Sequence, residues 1–165
     1  MVKAVIFDCD GVLVDSEVLF HAVELEVLTE FGMTYESRAF KARFLGMSDT
    51  AYYEALEADA RGMLGRSIIA ELRPRMKARV LERFATDLKA VEGALAAVNA
   101  VSLPKAVASS SGVQALAHKL KRFDLWDPFD PHIYSAELVA HAKPAPDIFL
   151  HAAQELRVAP GDCLV

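Results

Sequence analysis

The first predicted strand and the turn after it constrain this chain more than any other feature. Residues 3–7 form a short apolar run, and Asp-Cys-Asp-Gly follows at residues 8–11. A run of this kind, ending in acids and a glycine, is typical of a strand that is buried on both faces. Because Asp8 and Asp10 are two residues apart, their side chains leave an extended chain on the same side. The pair suits metal binding, a nucleophile beside an acid, or both, although an ordinary turn rich in Asp and Gly gives the same string.

A long helical region follows this strand. Apolar residues recur every three or four positions between Ser16 and Gly32, with glutamates between them, which predicts an amphipathic helix. Pro74 predicts a break, a kink or an N-terminal position in a later helix. Further helices are predicted at roughly residues 35–44, 48–60, 67–84 and 92–100.

The strand pattern returns in the second half of the chain. Strands are predicted at residues 106–109 and 133–134 and from Cys163 onward, with helices from Val113 and over residues 145–156. Strands that alternate with helices predict an α/β protein with a doubly wound, parallel, Rossmann-like sheet.

The predicted domain organisation is a core that is interrupted by a helical insertion. The Rossmann-like core comprises residues 1–15 and 87–165, and a small helical cap comprises residues 16–86. The insertion leaves from the carboxyl end of a strand, where ligands bind in this class of fold. It is therefore either a surface decoration or a lid over a ligand site.

The composition excludes several classes of partner. Hydrophobic residues make up 53% of the chain, and its net charge is -5, so we expect a packed core and no binding to nucleic acid or membrane. The N-terminus lacks the pattern of a signal peptide. Cys9 and Cys163 lie in apolar runs, which predicts buried free thiols. We expect a soluble cytoplasmic protein that is a monomer or a weak dimer.

Two further polar groups lie beside predicted strands or helices. Ser109, in the string VASSSG, ends a strand and precedes a helix, so its hydroxyl and the free amides form either a phosphate site or a simple helix cap. Lys143 precedes Pro144 and Pro146, which stiffen the loop and fix the direction of the ammonium group. A solvent-exposed lysine is the other interpretation. Asp147 is expected to cap the helix that follows.

The strings DCDGVLVDSE, VASSSG and AHAKPAPDIF together resemble the first three motifs of the haloacid dehalogenase superfamily, and most closely its capped phosphatases and sugar-phosphate mutases. The resemblance implies that Asp8 is the nucleophile and Asp10 the general acid and base. It implies that the Asp8 side chain and the Asp10 backbone carbonyl bind Mg²⁺. Ser109 and the Ser110 amide would bind the transferred phosphoryl group, and Lys143 would neutralise charge on the nucleophile and on the phosphoryl oxygens.

One motif of the superfamily has no counterpart in this sequence. The fourth motif is an acidic pair at the end of the strand that begins at Cys163, and the sequence ends just before it. We therefore expect a chain trimmed at its C-terminus, with poor affinity for Mg²⁺ and weak activity, because Mg²⁺ requires near-octahedral oxygen ligation.

The cap loop FLGMSDT, which contains Gly46, resembles the superfamily's loop that closes over the active site. In the mutases a basic residue follows that glycine, whereas residues 47–49 place an acid there. Arg43 lies just before the loop and either substitutes for the basic residue or belongs to a solvated helix face. The acid favours a phosphatase over a mutase.

Three functional hypotheses follow. The first is a Mg²⁺-dependent phosphatase of a small phosphorylated metabolite, such as a sugar phosphate. The second is a hexose-phosphate mutase of the β-phosphoglucomutase type, and the third is a non-catalytic phosphate-binding fragment.

Overall fold

The computed structural model describes residues 1–47 and 49–165, without the side chain of Asp49. It divides into two compact units, one of Met1–Ser16 with Lys89–Val165 and the other of Glu17–Leu88. In chain order the elements are β1 (Ala4–Phe7), α1 (Ser16–Glu30), α2 (Ser37–Phe44), α3 (Asp49–Leu64), α4 (Ile69–Thr86), α5 (Ala94–Ala100), β2 (Lys105–Ser109), α6 (Val113–Arg122), β3 (Ile133–Ser135), α7 (Asp147–Glu155) and β4 (Cys163–Leu164). Short 3-10 turns occupy Ala136–Leu138 and Pro160–Asp162.

The first unit is built on a parallel sheet. Its strand order is β3-β2-β1-β4, and every neighbouring pair is parallel. Parallel strands need crossover connections, and the helical segments between the strands supply them. The prediction of an α/β fold with a parallel sheet is therefore confirmed.

Small residues on β2 allow a helix to pack closely on this sheet. Ala106 and Ala108 are fully buried, and Ile148 and Ala152 of α7 pack in the same cluster with Ile6 of β1. Burying an isoleucine side chain contributes about 1.5–3 kcal/mol. The packing of α7 on β1 and β2 fixes the position of the loop that precedes the helix.

The second unit is a helical bundle with an apolar interior. Val23 and Val27 of α1, Phe40 of α2 and Leu72 of α4 belong to one buried cluster. Gly32 ends the first helix with a φ of 87°, a left-handed conformation that glycine adopts without steric cost. No helix among the described residues has the length and apolar character needed to cross a membrane.

Two local expectations can be compared with the structure. Pro74 lies near the N-terminus of α4, in its second turn, and the helix continues through it to Thr86. Because Pro74 lies in the second helical turn, the one backbone hydrogen bond that it removes lies near the N-terminus of α4. Cys163 is only partly buried, whereas Cys9 is fully buried, and both are free thiols.

The prediction that Asp147 caps α7 was wrong. Pro146 is the N-cap residue, and Asp147 is the first residue of the helix. The Asp147 carboxylate lies 2.8 Å from Nδ1 of His141 instead of a backbone amide. An acid in the first turn still interacts favourably with the helix dipole.

Candidate active site

The carboxyl ends of β1 and β2 bring the predicted site residues together. Phe7 of β1 is in register with Val107 of β2, so Asp8 and Ser109 leave neighbouring strands at the same edge of the sheet. Gly11 has a φ of 76°, which lets the chain turn tightly after Asp10. The Gly11 amide donates a hydrogen bond of 2.8 Å to the Val14 carbonyl and closes this turn.

Asp8 is paired with Lys143. The Lys143 Nζ atom lies 2.8 Å from Asp8 Oδ1 and donates a hydrogen bond of 3.0 Å to the Ala108 carbonyl. The Cys9 amide donates to the same oxygen of Asp8 over 2.7 Å. The Asp8 side chain is 39% exposed, so it remains accessible to a ligand. Lys143 therefore connects β1 to β2 and places a positive charge beside an accessible carboxylate.

Asp10 lies deeper and accepts hydrogen bonds from four side chains. Its Oδ1 accepts from Ser16 Oγ over 2.5 Å and from the Lys119 ammonium group. Its Oδ2 accepts from Ser109 Oγ over 3.2 Å and from Ser111 Oγ over 2.9 Å. These contacts fix the rotation of the carboxyl group.

The same environment sets the protonation of Asp10. Burial favours the neutral acid and raises its pKa, but hydrogen bonds from Lys119 and Ser16 together with the Lys119 charge lower the pKa more. The net effect is a pKa below the ordinary value of an aspartate. Burial and the two neighbouring carboxylates also raise the pKa of the Cys9 thiol to about 12, so Cys9 is not a nucleophile at neutral pH.

The loop after β2 offers both hydroxyl and amide groups. Ser109 is fully buried, and its Oγ accepts a hydrogen bond of 3.0 Å from the Ser111 amide, whereas Ser110 is exposed at the surface. The Glu137 carboxylate accepts a hydrogen bond of 3.2 Å from the Val113 amide at the start of α6. Part of the helix N-terminus is therefore already capped by the protein itself.

The predicted metal ligands are compatible with Mg²⁺. The described residues contain no group of three or more His, Cys, Asp or Glu side chains arranged around a metal site. Asp8 supplies an accessible carboxylate, and the Asp10 backbone supplies a carbonyl oxygen. Oxygen ligands of this kind suit Mg²⁺, which commonly takes one or two carboxylates and completes its shell with water and phosphate oxygens.

The predicted cap residues belong to the second unit. Arg43 forms an ion pair with Asp59 and lies over the ring of Phe44, with its guanidinium carbon 5.4 Å from the ring centroid. Gly46 follows α2 with a φ of 81°. Ser48 and the side chain of Asp49 lie outside the described residues, so the acid in the cap loop stays a prediction.

Sequence reasoning missed three hydrogen-bond donors to the Asp10 carboxyl group, namely Ser16, Ser111 and Lys119. Lys119 is 6% exposed, although lysine side chains are seldom buried. A signal for it existed in the sequence. Lys119 follows Leu116 by three residues and therefore lies on the buried face of α6.

Comparisons with known proteins show to which family the chain is related. The model of the haloacid dehalogenase-like hydrolase family matches residues 2–165. The 6-phosphogluconate phosphatase of Escherichia coli K12 is 28% identical, and hexitol phosphatase B of the same organism is 31% identical. Each match covers 99% of this chain and 73% of the relative. A crystal structure of a conserved haloacid dehalogenase-like protein of unknown function from Agrobacterium tumefaciens C58 is 34% identical, with a TM-score of 0.85 over 99% of this chain and 72% of that one. The chain therefore belongs to the haloacid dehalogenase-like hydrolase family.

Proposed function

We propose that this hydrolase is a Mg²⁺-dependent phosphatase that acts on a small sugar phosphate through an aspartyl-phosphate on Asp8. The observation that carries the proposal is the pairing of Lys143 with the accessible Asp8 carboxylate, beside a second carboxylate held at Asp10. Two carboxylates in such different surroundings suit two different roles in one reaction.

In the first half of the reaction an Asp8 oxygen attacks the phosphorus atom of the substrate. A bond forms between Asp8 and phosphorus, and the ester bond to the sugar oxygen breaks. Asp10 donates its proton to that leaving oxygen and becomes a carboxylate. The approach of a negatively charged phosphate raises the pKa of Asp10, which favours the protonated form needed here. Lys143 stabilises the charge that develops on the phosphoryl oxygens.

In the second half a water molecule attacks phosphorus. Asp10, now a carboxylate, accepts a proton from this water, and the bond between phosphorus and Asp8 breaks. Inorganic phosphate leaves and the Asp8 carboxylate is regenerated. The lowered pKa of Asp10 suits this half, because the base must be ionised.

The Asp8 carboxylate and the Asp10 carbonyl are the groups that would hold Mg²⁺. When bound, the cation neutralises charge on the phosphoryl group. We expect substrate to strengthen the binding, because its phosphate oxygens complete the ligand shell.

The relatives favour a sugar-derived substrate. Two of them are named as phosphatases of 6-phosphogluconate and of hexitol phosphates. Both names describe phosphate esters of open-chain, polyhydroxylated six-carbon compounds. The acid expected in the cap loop, in place of the basic residue of the mutases, also favours hydrolysis over isomerisation.

The test is phosphate release by the full chain from a panel of sugar, sugar-acid and sugar-alcohol phosphates, with and without Mg²⁺. Asp8→Asn is expected to reduce turnover by about a thousandfold or more, because it removes the nucleophile. Asp127→Asn, at an exposed aspartate, is the matched control and is expected to leave turnover unchanged. Rapid quenching should also trap a hydroxylamine-sensitive phosphoenzyme in the unmodified chain.

Other outcomes would contradict the proposal. Isomerisation that depends on a sugar bisphosphate, with little phosphate release, would identify a mutase. Binding of phosphate esters without turnover would identify a phosphate-binding module. Equal turnover by Asp8→Asn would exclude Asp8 as the nucleophile.

A further inference from the structure

We infer that Lys119 is a positioning residue that aims the Asp10 carboxyl group at the leaving oxygen of the substrate. The inference rests on the proposed phosphatase function and assigns a role within that reaction to a residue of α6. It concerns the first half of the reaction, in which Asp10 transfers its proton to the oxygen that leaves phosphorus.

The first support is the burial of a charged side chain at the site. The Lys119 side chain is 7% exposed, and its ammonium group contacts Asp10 Oδ1. The same Nζ atom donates a hydrogen bond of 2.9 Å to Ser111 Oγ. A buried ammonium group is costly unless it is paired and hydrogen-bonded, so Asp10 and Ser111 provide the contacts that make this position tolerable.

Two different lysines contact the two carboxylates of the site. Lys143 contacts Asp8 and approaches from the loop before α7, whereas Lys119 contacts Asp10 and approaches from α6. Each carboxylate of the pair therefore has its own cation. Lys143 faces the accessible carboxylate, and Lys119 lies behind the more buried one.

The third support is the way in which the Asp10 carboxyl group is held. Ser109 and Ser111 contact Oδ2, while Ser16 and Lys119 contact Oδ1. Lys119 is the charged partner among these four, and charge-assisted hydrogen bonds are roughly twice as strong as neutral ones. A general acid must lie within hydrogen-bond reach of the atom that it protonates. Loss of Lys119 should therefore let the Asp10 carboxyl group rotate away from the leaving oxygen.

The role predicts a selective defect that depends on the leaving group. Alkyl phosphates, such as sugar phosphates, release a strongly basic oxygen that needs protonation as it leaves. The nitrophenolate of p-nitrophenyl phosphate is a stabilised anion and leaves without that help. A variant in which the Asp10 carboxyl group is misplaced should therefore hydrolyse alkyl phosphates far more slowly, while the hydrolysis of p-nitrophenyl phosphate changes much less. A general loss of folding or of phosphate binding should slow both substrates equally.

The experiment measures kcat/KM of the full chain on both substrates. For Lys119→Met we expect a fall of about 10- to 100-fold with the sugar phosphate and of at most about threefold with p-nitrophenyl phosphate, since general acid catalysis contributes about 10²–10⁴ in rate. Asp10→Asn should show the same selectivity more strongly. Lys121→Met, at an exposed lysine of the same helix, is the matched control and should change neither value.

A conservative variant of Lys119 and a measurement of unfolding test the same contact independently. Lys119→Gln keeps a donor in the buried position and should show the same selectivity to a smaller degree. Denaturant unfolding of Lys119→Met, Asp10→Asn and the double variant should reveal energetic coupling between the two positions, because residues in contact are not additive.

Distinct results would overturn the inference. Equal falls on both substrates, or no fall on either, would exclude a role in aiming Asp10. Additive unfolding energies would exclude the contact itself. If the unmodified chain turned over neither substrate, the proposed phosphatase function would fail, and the role of Lys119 in it would fail as well.

Discussion

Lys143 and Asp8 form an ion pair of 2.8 Å across the carboxyl edge of the sheet, and the Ala108 carbonyl holds the same ammonium group from β2. The lysine is 18% exposed, and its ammonium group lies 4.8 Å from the centroid of the Phe149 ring. It is therefore held by a carboxylate, a backbone carbonyl and an aromatic face. Such a cation is already in position before charge develops on a substrate, which is the arrangement that favours electrostatic catalysis.

Replacing this ammonium group should therefore affect catalysis more than stability. Lys143→Met should lower kcat/KM for the sugar phosphate by about 10²–10³, the usual loss on removal of one preorganised electrostatic group. The midpoint of unfolding should change little, because the Asp8 side chain is 39% exposed and water can solvate it when its partner is removed, and an ion pair that water reaches contributes only about 0–1 kcal/mol. Steady-state kinetics and thermal unfolding measure the two effects. Lys89→Met, at an exposed lysine of the same unit, should change neither, and a fully active Lys143→Met would contradict the assignment.

The sequence predicted the elements that carry this site because their signals are local. Apolar runs ending in Asp8 and in Ser109 indicated two buried parallel strands, and parallel strands present their carboxyl ends at one edge. The proximity of these two residues follows from that geometry. Pro144 and Pro146 likewise indicated a stiff loop before a helix, although their spacing did not reveal that the ammonium group of Lys143 would reach across to β1.

Contacts between distant segments could not be read in the same way. Lys119 and Glu24 are buried charged residues, whereas lysine and glutamate are by residue type expected at the surface. Phe20, which fits the apolar spacing of α1, is 40% exposed. Which side of a helix is covered depends on the elements that pack against it, and that information does not lie in the segment itself.

Removing the Ser109 hydroxyl should affect both the fold and the reaction. Ser109→Ala leaves the Ser111 amide without its acceptor and Asp10 with one donor fewer. We expect a loss of about 1–3 kcal/mol in the free energy of unfolding, the usual cost of an unsatisfied buried polar group. We also expect a fall of at least about tenfold in kcat/KM. Ser110→Ala, at the exposed neighbour, should have little effect on either, and equal effects of the two changes would refute the distinction.

A substitution at Gly112 can show whether Glu137 caps the N-terminus of α6. A Cβ atom at this position would lie 2.6 Å from Glu137 Oε1, so Gly112→Ala must displace the carboxylate that accepts from the Val113 amide. The loss of a helix cap costs about 0.5–2 kcal/mol. The gain from restricting the unfolded chain is about 0.4–1 kcal/mol, because the backbone at Gly112 has an ordinary negative φ.

The loss of the cap and the restriction of the unfolded chain can be separated by making Gly112→Ala in a Glu137→Ala variant as well as in the unmodified chain. In the unmodified chain they oppose each other, and we expect little net change or a small loss. In the Glu137→Ala background no cap remains to be displaced, so Gly112→Ala should stabilise the protein by about 0.4–1 kcal/mol. Denaturant unfolding of the four proteins measures this coupling. The same change in both backgrounds would show that Glu137 does not cap the helix.

Glu24 is expected to make the stability of the second unit depend on pH. Burial raises the pKa of its carboxyl group above the ordinary value of 4.5, and the Tyr52 hydroxyl only partly offsets this. Because the folded-state pKa is raised, Glu24 contributes most to stability below pH 4.5, where it is protonated in both the folded and the unfolded state. This contribution is lost as the pH rises through the folded-state pKa, because the buried carboxyl group must then ionise. His21, whose Nδ1 lies 3.7 Å from Glu24, does not compensate at neutral pH, because burial and the Lys41 charge lower its own pKa.

Glu24→Gln should therefore be more stable than the unmodified chain at pH 7, and the difference should shrink as the pH falls and vanish below about pH 4. Glu26→Gln is the contrasting variant. Glu26 pairs with Arg79 and Arg83, so its loss should destabilise the protein at neutral pH by about 0.2–1 kcal/mol. Thermal unfolding from pH 4 to pH 8 distinguishes the two. A Glu24→Gln variant less stable than the unmodified chain at pH 7 would mean that the carboxylate has a stabilising partner when ionised, and the burial argument would be wrong.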